Sequence, residues 1–230
     1  THKLKIKMFK RKQVIGVIQM DHNLIWNIRK ECKDILSVYK SNPDNFLWRG
    51  LGGDRGCIIS SQIVGVGETK KDIAEYIRKI FDNILIEEFN CKATRSNSIM
   101  CSSYNIAYNY GKCPYVIFPV DSFSYTWFKK QVRSYILFHI EESYEDMITE
   151  FDYKSTHDYF FDNKFYEEMP FLLQEKIKYA VENISRCLLP STVDIETCIQ
   201  NQNEIYISGC KYYSIRFDKI KEYFKFLVEE

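Results

Sequence analysis

Residues 95–111, RSNSIMCSSYNIAYNYG, combine an arginine, a cysteine and four serines within one short segment. The segment turns apolar in its middle and then runs into a short helical pattern that ends at Gly111. Each buried hydroxyl needs a hydrogen-bond partner or costs free energy, so core packing alone does not favour this composition. The segment therefore predicts a binding site for a ligand rich in hydroxyl and phosphate groups.

Two other polar positions stand on predicted strands, one before this segment and one after it. Arg49 lies in FLWRGL, just ahead of a glycine turn, and Glu204 opens a late strand in NQNEIYI. Gln202 precedes Glu204 by two residues, so a strand that included both would direct their side chains to the same side. Taken singly, each position has an ordinary explanation as an edge charge or a strand-end residue.

The overall charge gives no reason to favour nucleic acid, because the 230-residue chain has a net charge of +1. The start of the sequence is the exception. Lys3, Lys5 and Lys7 alternate with apolar residues, which predicts an edge strand with one lysine face. Two interpretations stay open: a solvated edge that resists aggregation, or a docking strand for an anionic partner such as RNA.

The apolar and cysteine patterns exclude several kinds of site. No run of about 18 apolar residues occurs, so no membrane-spanning segment is predicted. The eight cysteines form no CxxC pair and have no histidine at ligand spacing, which argues against a zinc site. No secretory signal is visible, and the thiols are therefore expected to be reduced. These patterns predict a cytoplasmic protein that binds no metal.

Hydrophobic periodicity predicts an α+β chain with mostly antiparallel strands in its C-terminal half. Helices are predicted at 20–44, 68–89, 104–111, 143–151, 167–189 and 218–230. Strands are predicted at 45–50, 98–103, 115–120, 123–128, 132–140, 203–209 and 211–217. No repeat, linker or low-complexity tract is visible. Residues 1–230 are expected to form one domain, in which 1–45 supply the basic strand and a helical portion.

The order of Arg49, the segment IMCSS and Glu204 resembles the arginine–serine–glutamate pattern of mono-ADP-ribosyltransferases. The resemblance covers about residues 46–207, and its middle part looks most like small phage-encoded members of that group. It implies an ADP-ribosyltransferase-like fold, in which two small antiparallel sheets meet around an NAD cleft with flanking helices. It also implies that NAD is the substrate that donates ADP-ribose.

The resemblance implies a cofactor-binding role for several residues. Arg49, followed by Gly50, matches the arginine that grips the phosphates and ribose of NAD. A guanidinium suits that task because its planar fork donates two hydrogen bonds to phosphate and keeps its charge. Arg95 is expected to add a further phosphate contact, with an exposed structural charge as the alternative.

The serine segment of the family is matched by CSS, which implies that Ser102 and Ser103 brace the cleft and the glutamate. Cys101 stands where the family has its first serine. A thiol is a poor hydrogen-bond donor, so Ser98, slightly upstream, is the alternative candidate for that bracing role.

Glu204 matches the catalytic glutamate of the family, and Gln202 matches the residue that helps to choose the acceptor. Breaking the bond between nicotinamide and ribose produces an oxocarbenium-like cation, as in glycoside cleavage. Nicotinamide leaves as a neutral molecule, so no general acid is needed on the leaving group. Glu204 is expected to hold the ribose 2′-hydroxyl and to stabilise the developing positive charge.

The resemblance thus implies an NAD-dependent glycosyltransferase that modifies a protein or nucleic acid, acting in the host cytoplasm as an effector if it is phage-encoded. Two alternatives stay open: an NAD glycohydrolase on the same fold, and a catalytically silent inhibitor whose basic first strand binds nucleic acid or an acidic partner. Gln-x-Glu replaces the Glu-x-Glu of arginine modifiers. This replacement favours an acceptor other than arginine, and asparagine, glutamine, an acidic residue and a nucleotide all stay open.

Overall fold

The computed structural model of the chain describes residues 22–53, 55–63, 75–130 and 170–228. Within these ranges the fold is α+β, with seven helices and two four-stranded antiparallel sheets. The expected fold class and the two small antiparallel sheets are thereby confirmed. The basic N-terminal strand, the strand at 132–140 and the helix at 143–151 lie outside the described residues.

The helices and strands are numbered here in chain order. The helices are α1 (22–31), α2 (Lys33–Ser41), α3 (Glu75–Glu87), α4 (Tyr104–Gly111), α5 (Phe171–Cys187), α6 (Ile195–Gln200) and α7 (Ile220–Val228). The strands are β1 (Trp48–Gly50), β2 (Ile58–Gln62), β3 (Ile99–Cys101), β4 (Pro114–Pro119), β5 (Ser124–Phe128), β6 (Pro190–Ser191), β7 (Ile205–Ser208) and β8 (Lys211–Arg216).

The backbone divides into two compact units, and each unit is built around one sheet. The first unit contains the sheet β1-β4-β8-β2 together with α1, α2, α4 and α7. The second unit contains the sheet β3-β7-β5-β6 together with α3, α5 and α6. Within the described residues, no helix combines the length and apolarity needed to cross a membrane.

In the first unit, the region predicted as one helix at 20–44 contains two helices, α1 and α2. The backbone leaves helical geometry at Cys32, where φ is −124° and ψ is 40°. The thiol of Cys32 donates to the carbonyl of Phe118 on β4 at 3.4 Å, so tertiary packing holds this break. The helix α2 then ends at Ser41, in agreement with the stop predicted at Asn42-Pro43, because proline cannot continue a helix.

The second unit is held by the packing of α3 against α5. The buried residues of α3 fall at helical spacing, as the sequence predicted, and include Ile77, Phe81, Ile84 and Leu85. At the end of α5, Arg186 donates to both carboxylate oxygens of Glu88, at 2.8 and 2.5 Å. The long helix ends at Cys187, three residues before Pro190, close to its predicted stop.

Three elements were not predicted from the sequence: β2, the two-residue strand β6 and the helix α6. The strand β2 pairs with β8 along its full length, from Ile58 opposite Ile215 to Gln62 opposite Lys211. The short helix α6 begins after Asp194, whose carboxylate accepts the backbone N–H of Thr197 at 3.1 Å. Asp-x-x-Thr ahead of an apolar pair was a local capping signal that could have revealed α6.

Candidate active site

In the first unit, Arg49 lies at the centre of the edge strand β1. It pairs with Tyr115 of β4, and Tyr115 pairs in turn with Arg216 of β8. Directly paired residues share a face of the sheet, so the three side chains form one row. The hydroxyl of Tyr115 accepts the backbone N–H of Arg55 at 3.2 Å and donates to the carbonyl of Gly56 at 3.0 Å. The glycine-rich loop after β1 is thereby fixed beside this row.

Arg216 forms a local ion pair within the same unit. Its Nε donates to Oδ1 of Asp218 at 2.6 Å, and its Nη2 donates to Oδ2 at 3.0 Å. This two-point contact commits the guanidinium of Arg216 to a carboxylate.

Gly50 faces α4, where the two backbones approach closely. A Cβ atom built on Gly50 would lie 2.7 Å from the backbone nitrogen of Gly111, and one built on Gly111 would lie 2.5 Å from the carbonyl carbon of Gly50. Real Cβ atoms do not tolerate such distances to backbone. The sequence assigned Gly50 to cofactor binding, but strand–helix packing within the first unit is sufficient to require this glycine.

In the second unit, Glu204 lies immediately before β7, and Ser102 lies immediately after β3. The two strands pair with each other, and their last pair joins Cys101 to Ile205. Ser102 and Glu204 are therefore the next residues beyond the same end of this pairing. Glu204 is only 6% exposed. The hydroxyl-rich strand end and the predicted catalytic glutamate thus leave the sheet at the same end.

The backbone of Glu204 is bonded to β5. The backbone N–H of Phe128 donates to the carbonyl of Glu204 at 3.1 Å, and Phe128 is fully buried. Glu204 is thus joined to a neighbouring strand although it precedes the regular part of β7. Its backbone is fixed by main-chain pairing, which limits the positions that its carboxylate can reach.

A buried polar cluster lies next to Glu204. Tyr206, two residues further along β7, faces the same side, and its hydroxyl accepts from Nη1 of Arg95 at 3.4 Å. Asp82 of α3 accepts the backbone N–H groups of Arg95 and Ser96 at 2.9 and 3.0 Å. Burial raises the pKa of Tyr206, the positive charge of Arg95 opposes this shift, and the negative charge of Glu204 adds to it.

Arg95 was predicted to contact phosphate, but the structure places its side chain inside the second unit. It is 4% exposed, and its guanidinium donates to Tyr206 inside the second unit. Burial raises the pKa of Asp82, while its bonds to Ser96 and Arg95 lower it. The loop that begins the serine-rich segment is thus anchored to α3 and β7. In the second unit, Arg95 supports the strand that follows Glu204.

Ser98 also differs from its prediction as a bracing residue. It is fully buried, and its hydroxyl donates to Oδ1 of Asn97 at 2.9 Å. The same Asn97 oxygen accepts the backbone N–H of Thr94 at 2.8 Å, so both contacts belong to one local turn. Ser98 therefore stabilises the entry to β3.

Cys101 and Ser102 face opposite sides of the sheet, because successive strand residues alternate. Cys101 is 1% exposed and lies near Cys198 of α6. Burial raises the pKa of the Cys198 thiol, and the proximity of Cys101 adds to that shift. Ser102 donates its hydroxyl to the carbonyl of Ser103 at 3.5 Å. The thiol therefore occupies a packing position, and Ser102 is the hydroxyl on the other face of the strand end.

Gln202 does not share a strand with Glu204, so that expectation was wrong. The residue is exposed and lies in a turn after α6, where its φ is 54° and its N–H donates to the carbonyl of Ile199 at 3.1 Å. The regular strand begins only at Ile205. Strand alternation therefore does not determine the direction of the Gln202 side chain, and its acceptor role stays a prediction.

Neither a metal-binding group nor a known relative supplies further evidence about the function of these residues. In the parts of the chain that the structure describes, no three His, Cys, Asp or Glu side chains gather closely enough to hold a metal ion. Searches of family models, curated proteins and solved structures find no match to this chain. The geometry of the residues in each unit therefore carries the functional inference.

Proposed function

We propose that the protein is an NAD-dependent mono-ADP-ribosyltransferase that modifies a macromolecular target. The observation that carries this proposal is the pairing of β3 with β7, which ends at Cys101 and Ile205 and so brings Ser102 and Glu204 to the same end of the sheet. The two residues are about a hundred positions apart in the sequence, so local patterning does not bring them together. Arg49 on β1, Ser102 and Glu204 keep the arginine–serine–glutamate order on two small antiparallel sheets.

The side chains have the chemistry that an NAD donor requires. The fork of Arg49 suits the two phosphates, and the hydroxyls of Ser102 and Ser103 suit ribose or amide groups. Glu204 supplies a single carboxylate at the end of the sheet that carries Ser102. A carboxylate that is 6% exposed interacts with a nearby positive charge more strongly than one in bulk water.

The reaction needs charge stabilisation more than proton transfer. Glu204 stabilises the positive charge that develops on ribose as the glycosidic bond breaks and its electron pair leaves with nicotinamide. The acceptor then supplies an electron pair to the ribose carbon and loses its proton to solvent. Arg95 and Tyr206 act at a distance from the bond change, because they fix the strand that follows Glu204.

NAD hydrolysis is the second candidate because of the position of Gln202. A residue that positions an acceptor beside Glu204 would favour transfer over hydrolysis, but Gln202 lies in an exposed turn before the strand. Hydrolysis needs only water in place of a positioned acceptor. Both activities use the same Glu204, so the products distinguish them.

Incubation of the full chain with isotope-labelled NAD tests the proposal. Nicotinamide release is measured without acceptor, and label incorporation is measured with a host lysate followed by mass spectrometry. Transferase activity predicts a labelled macromolecule, and it predicts that Glu204→Gln loses both signals. Nicotinamide release without any labelled product would assign a glycohydrolase. The absence of both signals would favour the silent binding protein.

A further inference from the structure

A second surface, on α1 and α7 of the first unit, exposes two large aromatic side chains. Trp26 is 59% exposed and Phe226 is 51% exposed. Both line one groove of about 630 Å³, whose full lining is His22, Asn23, Ile25, Trp26, Arg29 and Phe226. Aromatic rings that remain in solvent do not stabilise a hydrophobic core, so two exposed rings that line one groove indicate a binding surface.

The groove is positively charged along its described length. Arg29 is part of its lining, and the ammonium of Lys30 lies 5.0 Å from the ring centroid of Trp26. Among the described residues, the lining contains no carboxylate. The charge therefore favours an anionic occupant over an uncharged apolar one.

The nearest acidic side chains on the described parts of these helices are already bound to cations. Glu31 accepts from Nζ of Lys211 at 3.1 Å and from the hydroxyl of Tyr213 at 2.7 Å. Glu222 accepts from Nζ of Lys219 at 2.9 Å. The hydrogen bond from Tyr213 and the positive charges of Lys211 and Lys30 lower the pKa of Glu31, so this carboxylate offsets part of the charge of Lys30. Arg29 is the cation that belongs to the lining itself.

From this combination we infer that the groove binds single-stranded nucleic acid. Exposed rings stack on unpaired bases of any sequence, and adjacent cations contact the phosphates between them. Trp26 and Phe226 supply the rings, and Arg29 and Lys30 supply the cations. An acidic peptide would use the same cations but would gain little from two stacking platforms.

The inference does not depend on the transferase proposal, because none of these residues belongs to the Arg49 or Glu204 regions. The start of the sequence carries further positive charge. Six of its first twelve residues are lysine or arginine, namely Lys3, Lys5, Lys7, Lys10, Arg11 and Lys12. Because those positions could bind nucleic acid on their own, the test must isolate the groove within the full chain.

Fluorescence anisotropy of a labelled twelve-nucleotide oligouridine, titrated with the full chain at low salt, supplies the measurement. Trp26→Ala and Phe226→Ala are each expected to weaken binding about tenfold. Arg29→Ala is expected to weaken binding and to reduce the slope of log K against log salt by about one. The matched controls are Tyr179→Ala, an exposed aromatic (66%) on α5, and Lys178→Ala, an exposed cation on the same helix. Neither control should change binding.

Three results would overturn the inference. The first is an absence of oligouridine binding at low salt. The second is binding that survives both aromatic substitutions unchanged, which would assign it to another part of the chain. The third is equal competition by polyglutamate of matched charge, which would identify an acidic peptide as the occupant. Circular dichroism of each variant checks that it folds. Because both rings are exposed, their removal is expected to leave the fold intact.

Discussion

Ser102 and Glu204 flank the last residue pair of β3 and β7, in which Cys101 lies opposite Ile205, at the point where the hydroxyl-rich segment leaves its strand. Both residues are at least nine-tenths buried, with 6% of each exposed. A hydroxyl in this position can donate to the carboxylate or to a ligand that the carboxylate holds. The activity of the proposed enzyme should therefore depend on both residues, but to different extents.

Glu204→Gln should abolish nicotinamide release and transfer while leaving the fold intact. The amide keeps the shape of the side chain but removes the charge opposite the ribosyl cation, and losses of about 10²-fold or more are typical. Rates of nicotinamide release, with Glu196→Gln on α6 as the exposed control, measure the effect. Normal activity in the Glu204 variant would mean that another residue is catalytic.

Ser102→Ala should lower activity, whereas Cys101→Ser, which restores the family residue, should not raise it. Cys101 faces the packed side of the sheet, so a serine there buries a second polar hydroxyl at a cost of about 1–3 kcal/mol. Nicotinamide release and urea unfolding on both variants separate the two effects. A more active Cys101→Ser variant would contradict the register on which this prediction depends.

Arg49→Lys should weaken NAD binding although the charge is retained. The lysine ammonium is a point charge and cannot make the two-point contact that a guanidinium makes to phosphate. Isothermal titration with NAD measures the dissociation constant. Arg186→Lys, a change in the second unit at an arginine bonded to Glu88, is the control. Equal dissociation constants for wild type and Arg49→Lys would remove Arg49 from the site.

Gly50→Ala should destabilise the protein whether or not NAD is present. The added methyl would meet the backbone of α4, and overpacking of this kind costs about 1–3 kcal/mol. Gly52→Ala is a matched control two residues away, because a Cβ atom there meets nothing within 4 Å. Chemical unfolding measures both variants. A stable Gly50→Ala protein with weakened NAD binding would instead support the original cofactor assignment.

Gln202→Ala should leave NAD hydrolysis nearly unchanged and reduce transfer to the target, if the side chain positions the acceptor. Because Gln202 has a left-handed backbone, Gln202→Gly removes the same side chain without backbone strain. Loss of transfer in both variants would assign the effect to the side chain. Loss in alanine alone would point to the backbone, and no loss in either would end the proposed role.

The sequence determined the features that depend on neighbouring residues. The helix stop at Asn42-Pro43, the buried strand β4 and the helix α4 that closes at Gly111 follow from proline geometry and apolar periodicity. The α+β class followed from the same local patterns. These features were predictable because their causes lie within a few residues of each other.

Tertiary structure alone decided which polar side chains meet. Pairing between β3 and β7 brought Ser102 and Glu204 to the same end of the sheet and turned Cys101 to the packed face, and a shift of one residue would have put Ser102 on that face instead. Contact with Tyr206 buried Arg95, and the turn after α6 removed Gln202 from the strand. Register and burial depend on partners about a hundred residues away, which local sequence patterns do not encode.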